Sequence, residues 1–302
     1  LYFQFSPIQL NIVRLFNIDP SFYESLAGNP FMRNAYQDHF DFGLGGTMYY
    51  TTNTDVTPHS TYHYFRFQLN SAGNLLSLFN PLMSKNADGS RMVWNTPYSQ
   101  YVRGEFTAGK TWVFGKNERQ SVATRFLAGA GYAYGNSGAL PFEQHFYAGG
   151  ANSLRGWQAR SVGPGLSVRD TSFVIPNQTG DMKLEANAEY RFGLFWKVNG
   201  ALFLDAGNVW TLNDTRHDSG SVSADEVAEA KPGKLTADNF IKGIALDWGA
   251  GLRLDLNFIL VRLDLGIVLR DPSRDAGDRW APPSRWFKRD GFSVHFGVGY
   301  PF

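Results

Sequence analysis

Met182-Lys183-Leu184-Glu185-Ala186-Asn187-Ala188-Glu189-Tyr190-Arg191-Phe192 alternates without exception. Met182, Leu184, Ala186, Ala188, Tyr190 and Phe192 share one side of an extended chain, and Lys183, Glu185, Asn187, Glu189 and Arg191 share the other. Side chains of a strand point alternately to its two faces, so the stretch predicts a strand with one apolar and one polar face. The pattern returns downstream. Trp248, Ala250, Leu252 and Leu254 oppose a set that ends in Arg253 and Asp255. Val261, Leu263, Leu265, Ile267 and Leu269 alternate with Arg262, Asp264, Gly266 and Arg270, with Val268 the one exception. Phe292 to Tyr300 sets Phe, Val, Phe, Val and Tyr against Ser293, His295, Gly297 and Gly299.

A soluble β-sandwich alternates too, and two features separate the cases. The apolar bands end in aromatics (Tyr190, Phe192, Trp196; Trp210; Trp248; Tyr300, Phe302), as rings seated at lipid–water interfaces do. The connections alternate short and long. Gly193–Lys197 and Asn257–Leu260 are short, whereas Thr211 to about Ala245 and Asp271 to about Asp290 are long. Both features favour a transmembrane barrel.

Composition agrees. The 302 residues carry 28 Lys plus Arg against 27 Asp plus Glu, a balance that argues against a nucleic-acid partner. Cysteine is absent, which excludes disulfides, thiolate metal sites and a cysteine nucleophile. Aromatics and glycine are abundant, with 14 Tyr, 25 Phe, 8 Trp and 32 Gly. Mean hydropathy is −0.28, and no uncharged apolar run is long enough for a membrane helix. Membrane strands need only about ten alternating residues, which leaves mean hydropathy low.

The expected fold is therefore all-β, an antiparallel transmembrane β-barrel. Strands are predicted near Ile8–Arg14, Phe40–Thr51, Tyr62–Ser71, Gln100–Phe114, Ser121–Tyr134, Leu184–Phe192, Val198–Trp210, Trp248–Asn257, Leu260–Arg270 and Phe292–Phe302, about ten in all. Asn53–Ser60 and Gly115–Arg119 read as short turns, Gly73–Pro97 and Gly135–Gly180 as long loops. With the C-terminus in the periplasm, every short connection falls on the periplasmic side. Asp19-Pro20 followed by Ser21–Ala27 predicts a short capped helix ended by Gly28-Asn29-Pro30, and Asp214–Asp238 a polar, solvent-facing loop. Residues 1–302 read as one barrel domain, and the sequence shows no linker or second domain. Leu1-Tyr2-Phe3-Gln4 resembles the remnant of an engineered protease-cleavage site, which points to an N-terminal truncation; the alternative is a natural strand start.

The most specific segment follows Tyr134. It runs Leu140-Pro141-Phe142, then Phe146-Tyr147-Ala148-Gly149-Gly150-Ala151-Asn152-Ser153-Leu154-Arg155-Gly156-Trp157, then Val162-Gly163-Pro164-Gly165. This resembles the characteristic extracellular loop of the BamA/TamA superfamily of outer-membrane assembly and translocation barrels. Glu189-Tyr190-Arg191 is similar to that family's next strand, and Phe203-Leu204-Asp205-Ala206-Gly207-Asn208-Val209 to its F-x-D-x-G strand. The C-terminal His295-Phe296-Gly297-Val298-Gly299-Tyr300-Pro301-Phe302 resembles the β-signal of outer-membrane proteins, with His295, Gly297, Tyr300 and Phe302 at its defining positions.

The resemblance implies that loop 135–181 folds into the lumen and that Arg155 is anchored by Glu189 and Asp205. By parity both carboxylates lie on polar faces of neighbouring strands, where two facing carboxylates repel unless a cation intervenes. An arginine fork bridges two of them. Gly149-Gly150 and Gly156 permit the tight loop turns, and Trp157 packs on the lumen wall. Solvated lumen residues are the alternative reading of this trio. The last strand reads as an edge with a lipid-facing aromatic row, where Pro301 either weakens pairing near its end or simply terminates the strand.

Other sites are weaker. His39, His59, His63, His145, His217 and His295 are scattered, and the i, i+4 pair His59/His63 flanks a turn rather than a helix. Gly149-Gly150 lacks the Lys-Ser/Thr of a phosphate loop. Ser153 near His145 suggests a nucleophile pair, but Ser153 belongs to the loop motif. No enzyme activity, cofactor or metal is expected. The implied function is insertion or translocation of client outer-membrane barrels or secreted proteins in the bacterial outer membrane. Lipid and periplasmic or lipoprotein accessory subunits are the implied partners. Alternatives are a two-partner secretion transporter, a passive pore and the barrel anchor of an upstream lipase. The family barrel has about sixteen strands, so this chain is expected to hold its C-terminal portion.

Overall fold

Ten long strands pair side by side in a single antiparallel sheet. They are β1 (Tyr2–Val13), β2 (His39–Thr51), β3 (Tyr62–Ala72), β6 (Tyr101–Phe114), β7 (Gln120–Ala133), β8 (Met182–Phe195), β9 (Val198–Trp210), β10 (Ala245–Asp255), β11 (Leu260–Arg270) and β12 (Phe292–Val298). Between β3 and β6, the two-residue strands β4 (Met92–Val93) and β5 (Thr96–Pro97) make a small separate hairpin. The sheet order follows the chain, β1-β2-β3-β6-β7-β8-β9-β10-β11-β12, so β1 and β12 are its edges. The computed structural model describes residues 1–14, 37–53, 60–87, 89–115, 120–168, 178–212, 231–256 and 258–302. The helix expected at Ser21–Ala27 lies outside the described residues, as do His59 and His217.

The pleat sorts the residues as the alternation requires, but the sorting is inverted relative to a water-soluble protein. On β8, Glu185, Asn187, Glu189 and Arg191 are buried, while Ala186 on the opposite face is exposed. Elsewhere Leu44, Met48, Phe65, Phe67, Phe106, Phe126, Leu202, Leu204, Leu252, Leu263 and Val294 are exposed together on that second face. An apolar surface this continuous is a liability in water and an ordinary surface in lipid. Rings gather near the short turns, with Phe114 stacked on Tyr190 and Tyr190 on Phe192 at centroid distances of 6.3 and 5.4 Å. Lys110 departs from the pattern: it is exposed on the apolar face, with its ammonium 5.0 Å from the Trp112 ring centroid.

Several boundaries move. The first strand begins at Tyr2 rather than Ile8, and β8 runs on to Phe195 through a register irregularity at Gly193. The last strand stops at Val298 rather than Phe302, because Gly299 adopts φ +81° and turns the chain away. Of the loop expected to be solvent-facing at Asp214–Asp238, residues 214–230 lie outside the described residues; at its end stands a short helix, α2 (Ala237–Lys242), capped by Thr236 and seated with Phe240 against Trp210 at 5.6 Å. It follows α1 (Asn74–Ser77), a single turn after β3. No helix among the described residues is long and apolar enough to cross a membrane, which says nothing of strands.

Candidate functional site

The long connection from β7 to β8 returns over the polar face of the sheet, and its middle builds the candidate site. Gly149 and Gly150 have φ of +95° and +97°, a region side chains rarely adopt. A Cβ on Gly149 would stand 2.2 Å from the Gln158 carbonyl oxygen, so the turn closes only without one. The Gly150 N–H donates to the Trp157 carbonyl at 2.9 Å, and the Trp157 N–H to that of Leu154 at 3.2 Å. This compact turn presents Leu154 and Trp157 to Phe146, Ala148, Val162, Val209, Ala245 and Val268, which form one buried apolar cluster. Val268, the exception to alternation in β11, is thereby explained: it faces the polar side because the loop covers it.

Arg155 projects from the turn and is fully buried, as are Glu189 and Asp205. Its Nε donates to Asp205 Oδ2 at 2.8 Å, its Nη2 to Asp205 Oδ1 at 3.0 Å, and its Nη1 pairs with Glu189 Oε2. The guanidinium also lies 3.5 Å from the centroid of the Phe203 ring, a cation–π contact. Phe203 and Asp205 are two apart on the polar face of β9, so one supplies a platform and the other a bidentate acceptor. Gly156 follows directly, and a Cβ there would meet the Asp247 Cβ at 2.6 Å. A Cβ on Gly266 of β11 would meet the Arg155 carbonyl oxygen at 2.1 Å, so that glycine lets the loop backbone reach the sheet.

The two carboxylates do not face each other as expected. The register sets Asp205 opposite Asn187 on one side and Asp247 on the other, while Glu189 is opposite Phe203. Glu189 and Asp205 are diagonal neighbours, and the like-charged pair directly across the strands is Asp205 with Asp247.

The network is wider than sequence reasoning proposed. Arg253 Nη2 donates to Glu189 Oε2 at 3.0 Å and Arg191 Nε to Glu189 Oε1 at 2.8 Å, so Glu189 accepts from three arginines. Arg262 Nη1 donates to Asp264 Oδ2 at 3.2 Å and to the Ala151 carbonyl at 2.9 Å. Ser153 Oγ donates to Glu185 Oε2 at 2.5 Å and accepts from the Gly149 N–H at 3.1 Å, which gives that serine a structural task. Arg125 pairs with Glu185 and donates to the Asn152 carbonyl at 2.8 Å. Alternation had already put Arg191, Arg253, Arg262 and Asp264 on polar faces; it lacked the register that converges them. His145 is buried and hydrogen-bonded through both nitrogens, Nε2 to the Leu140 carbonyl at 2.9 Å and Nδ1 to Thr179 Oγ1 at 3.2 Å. Burial pushes its pKa down to about 4, so the ring is neutral near pH 7.

The C-terminal residues divide. His295 turns to the polar face, where Nε2 lies 3.1 Å from the Arg155 carbonyl oxygen. At Gly297 a Cβ would crowd Arg262 Nε at 2.6 Å. Tyr300 and Phe302 do not extend the lipid-facing row. Tyr300 lies under Arg191 at 4.0 Å, Phe302 lies 5.0 Å from the Arg125 guanidinium, and Arg191 Nη2 donates to the Phe302 carbonyl at 3.3 Å. The terminus folds onto the arginine-rich polar face.

An antiparallel sheet with an apolar outer surface and a buried, arginine-pinned loop defines the class, and sequence comparison assigns the family. The Omp85 superfamily domain matches residues 9–302, and the chain belongs to that superfamily. It is 30% identical over 123 residues to the outer membrane protein assembly factor BamA of Neisseria meningitidis serogroup B (strain ATCC BAA-335 / MC58), a match covering 39% of this chain and 15% of that protein. Among solved structures it is similar to BamA from Haemophilus ducreyi lacking POTRA domains 1–3, at a TM-score of 0.43 and 15% identity, over 88% of this chain and 56% of that one. The chain thus spans only part of the relatives it matches.

Proposed function

We propose that this chain is the barrel portion of an outer-membrane assembly or translocation factor, acting on client outer-membrane or secreted proteins. Membership of the Omp85 superfamily and similarity to a named assembly factor support the assignment. The observation that carries it is Arg155, buried against Asp205, Glu189 and Phe203. That contact holds the Gly149–Trp157 turn on the polar face beneath β8 to β11. In the proposed arrangement this face is the barrel interior, the long connections are extracellular and the C-terminus is periplasmic.

The edge strand β12 lies beside the pinned loop, since His295 touches the Arg155 carbonyl. An edge with free backbone donors and acceptors templates an incoming strand by β-augmentation. Loop anchoring and edge geometry are coupled through that contact, and accessory subunits in the periplasm would deliver the client. A passive pore is disfavoured by a loop that occupies the polar face. Arg155→Ala is expected to leave a folded sheet that no longer supports client assembly. Complementation of cells depleted of the native protein tests this; full growth and normal outer-membrane protein levels would defeat the proposal.

A further inference from the structure

A second group of ionisable side chains lies on the polar face, away from the arginine network. Alternation puts His39 and Asp41 together at the start of β2, and the 3-10 turn Phe142–Gln144 behind Pro141 brings Glu143 to them. His39 Nε2 is 2.8 Å from Glu143 Oε1 and 4.0 Å from Asp41 Oδ2. One ligand atom from each residue lies within 4.8 Å of the others. The sequence had left His39 among six scattered histidines.

Two details indicate a cation. His39 Nδ1 is 2.8 Å from the Gln37 carbonyl oxygen, which can only accept, so the ring donates there through Nδ1–H. Its Nε2 lone pair then faces two carboxylates, an arrangement that needs a proton or a metal between them. Asp41 is 5% exposed, with Ser99 and His39 as its polar neighbours, and among the described residues neither carboxylate oxygen accepts a hydrogen bond of good geometry. A buried carboxylate so poorly satisfied is costly, and it is aimed into this cluster. Asn11 Nδ2, from the neighbouring β1, donates to Glu143 Oε1 at 3.0 Å and fixes that carboxylate from behind.

We propose that His39, Asp41 and Glu143 bind a divalent cation of the Zn²⁺ class. One imidazole with two carboxylates suits Zn²⁺ or Mn²⁺ rather than Ca²⁺ or Mg²⁺, which take six or more oxygens. Neutral imidazole and two carboxylates carry the charge that balances a divalent ion. Ligand distances of about 2.0–2.2 Å require only small side-chain movements here, and a fourth position is left for water. The ion would tie the beginning of β2 to the chain leaving β7, three strands further along the sheet. It would thus clamp the approach to the Gly149–Trp157 turn. This inference is independent of the proposed function.

The test is Zn²⁺ titration of the chelator-stripped full chain in detergent micelles, by calorimetry and thermal melting. One Zn²⁺ per chain and a raised melting midpoint are expected, with affinity at least about tenfold weaker in Asp41→Asn and His39→Gln. Co²⁺ added to the unmodified chain supplies a readout that needs no variant: visible d–d bands saturating at one equivalent. Glu143→Gln, at a partly exposed position, serves if the buried variants fold poorly. Absence of stoichiometric Zn²⁺ binding and of the Co²⁺ bands would overturn the proposal and leave a protonated His39 paired with two carboxylates. So would Zn²⁺ affinity unchanged in all three variants, which would put the ion at another histidine.

Discussion

Arg155 makes four kinds of contact at once: a bidentate pair with Asp205, a second pair with Glu189, stacking on Phe203, and a backbone link to His295. Truncation would leave the buried Asp205 without its cation, while Glu189 keeps Arg191 and Arg253, which costs about 3–5 kcal/mol. Arg155→Ala is therefore expected to free the turn, and limited proteolysis should detect new cleavage near Ala151–Gly156. Arg155→Lys should fail almost as badly, since an ammonium cannot fork across two carboxylates and stack on a ring. Gly266→Ala should also release the loop while keeping all charges, because its Cβ would stand 2.1 Å from the Arg155 carbonyl. Protection of the loop in that variant would contradict this packing. Individual side chains were partly legible in the sequence. Parity put Glu189, Asp205, Arg253 and Arg262 on polar faces, but which charges meet depends on register, and register depends on the turns. His39, Asp41 and Glu143 were hidden for a simpler reason: a hundred residues of chain separate the strand from the 3-10 turn.

At the level of elements, alternation carried most of the information. Eleven unbroken positions in β8 specify two faces, and a one-residue slip would exchange lipid for the buried charge network. Substituting Leu204, exposed mid-strand on the apolar face, with Arg should destabilise the sheet in lipid by about 2–4 kcal/mol. The mirror change, Ala201→Leu on the crowded polar face, should instead act through overpacking. Trp157→Ala would open a cavity in the cluster with Val209, Ala245 and Val268, at about 3–5 kcal/mol. Urea titration of the detergent-folded chain measures each; a Trp157→Ala midpoint equal to wild type would mean that the loop contributes nothing to stability. Where alternation misled, a local cause is visible. Continued apolar spacing through Tyr300 suggested a longer last strand, but the left-handed conformation at Gly299 ends it. Val268 broke the pattern because the loop, not solvent or lipid, is its neighbour.

For the whole molecule, near-neutral charge conceals a strict segregation. Cations and anions are concentrated and paired on the polar face, and the apolar face presents aliphatic and aromatic rows with Lys110 as an outlying cation. The sheet has two edges, β1 and β12, and a loop that reaches from β2 at Glu143 to β12 at Arg155. A single loop thus contacts both sides of the sheet, and the proposed activity depends on its anchoring. The most direct measurement is the folding rate of an unfolded outer-membrane barrel client in lipid vesicles containing either the wild-type chain or Arg155→Ala, at equal amounts of folded protein. Faster client folding is expected with the wild type, and the rate of empty vesicles with the variant. Equal acceleration by both, or none by the wild type, would contradict it.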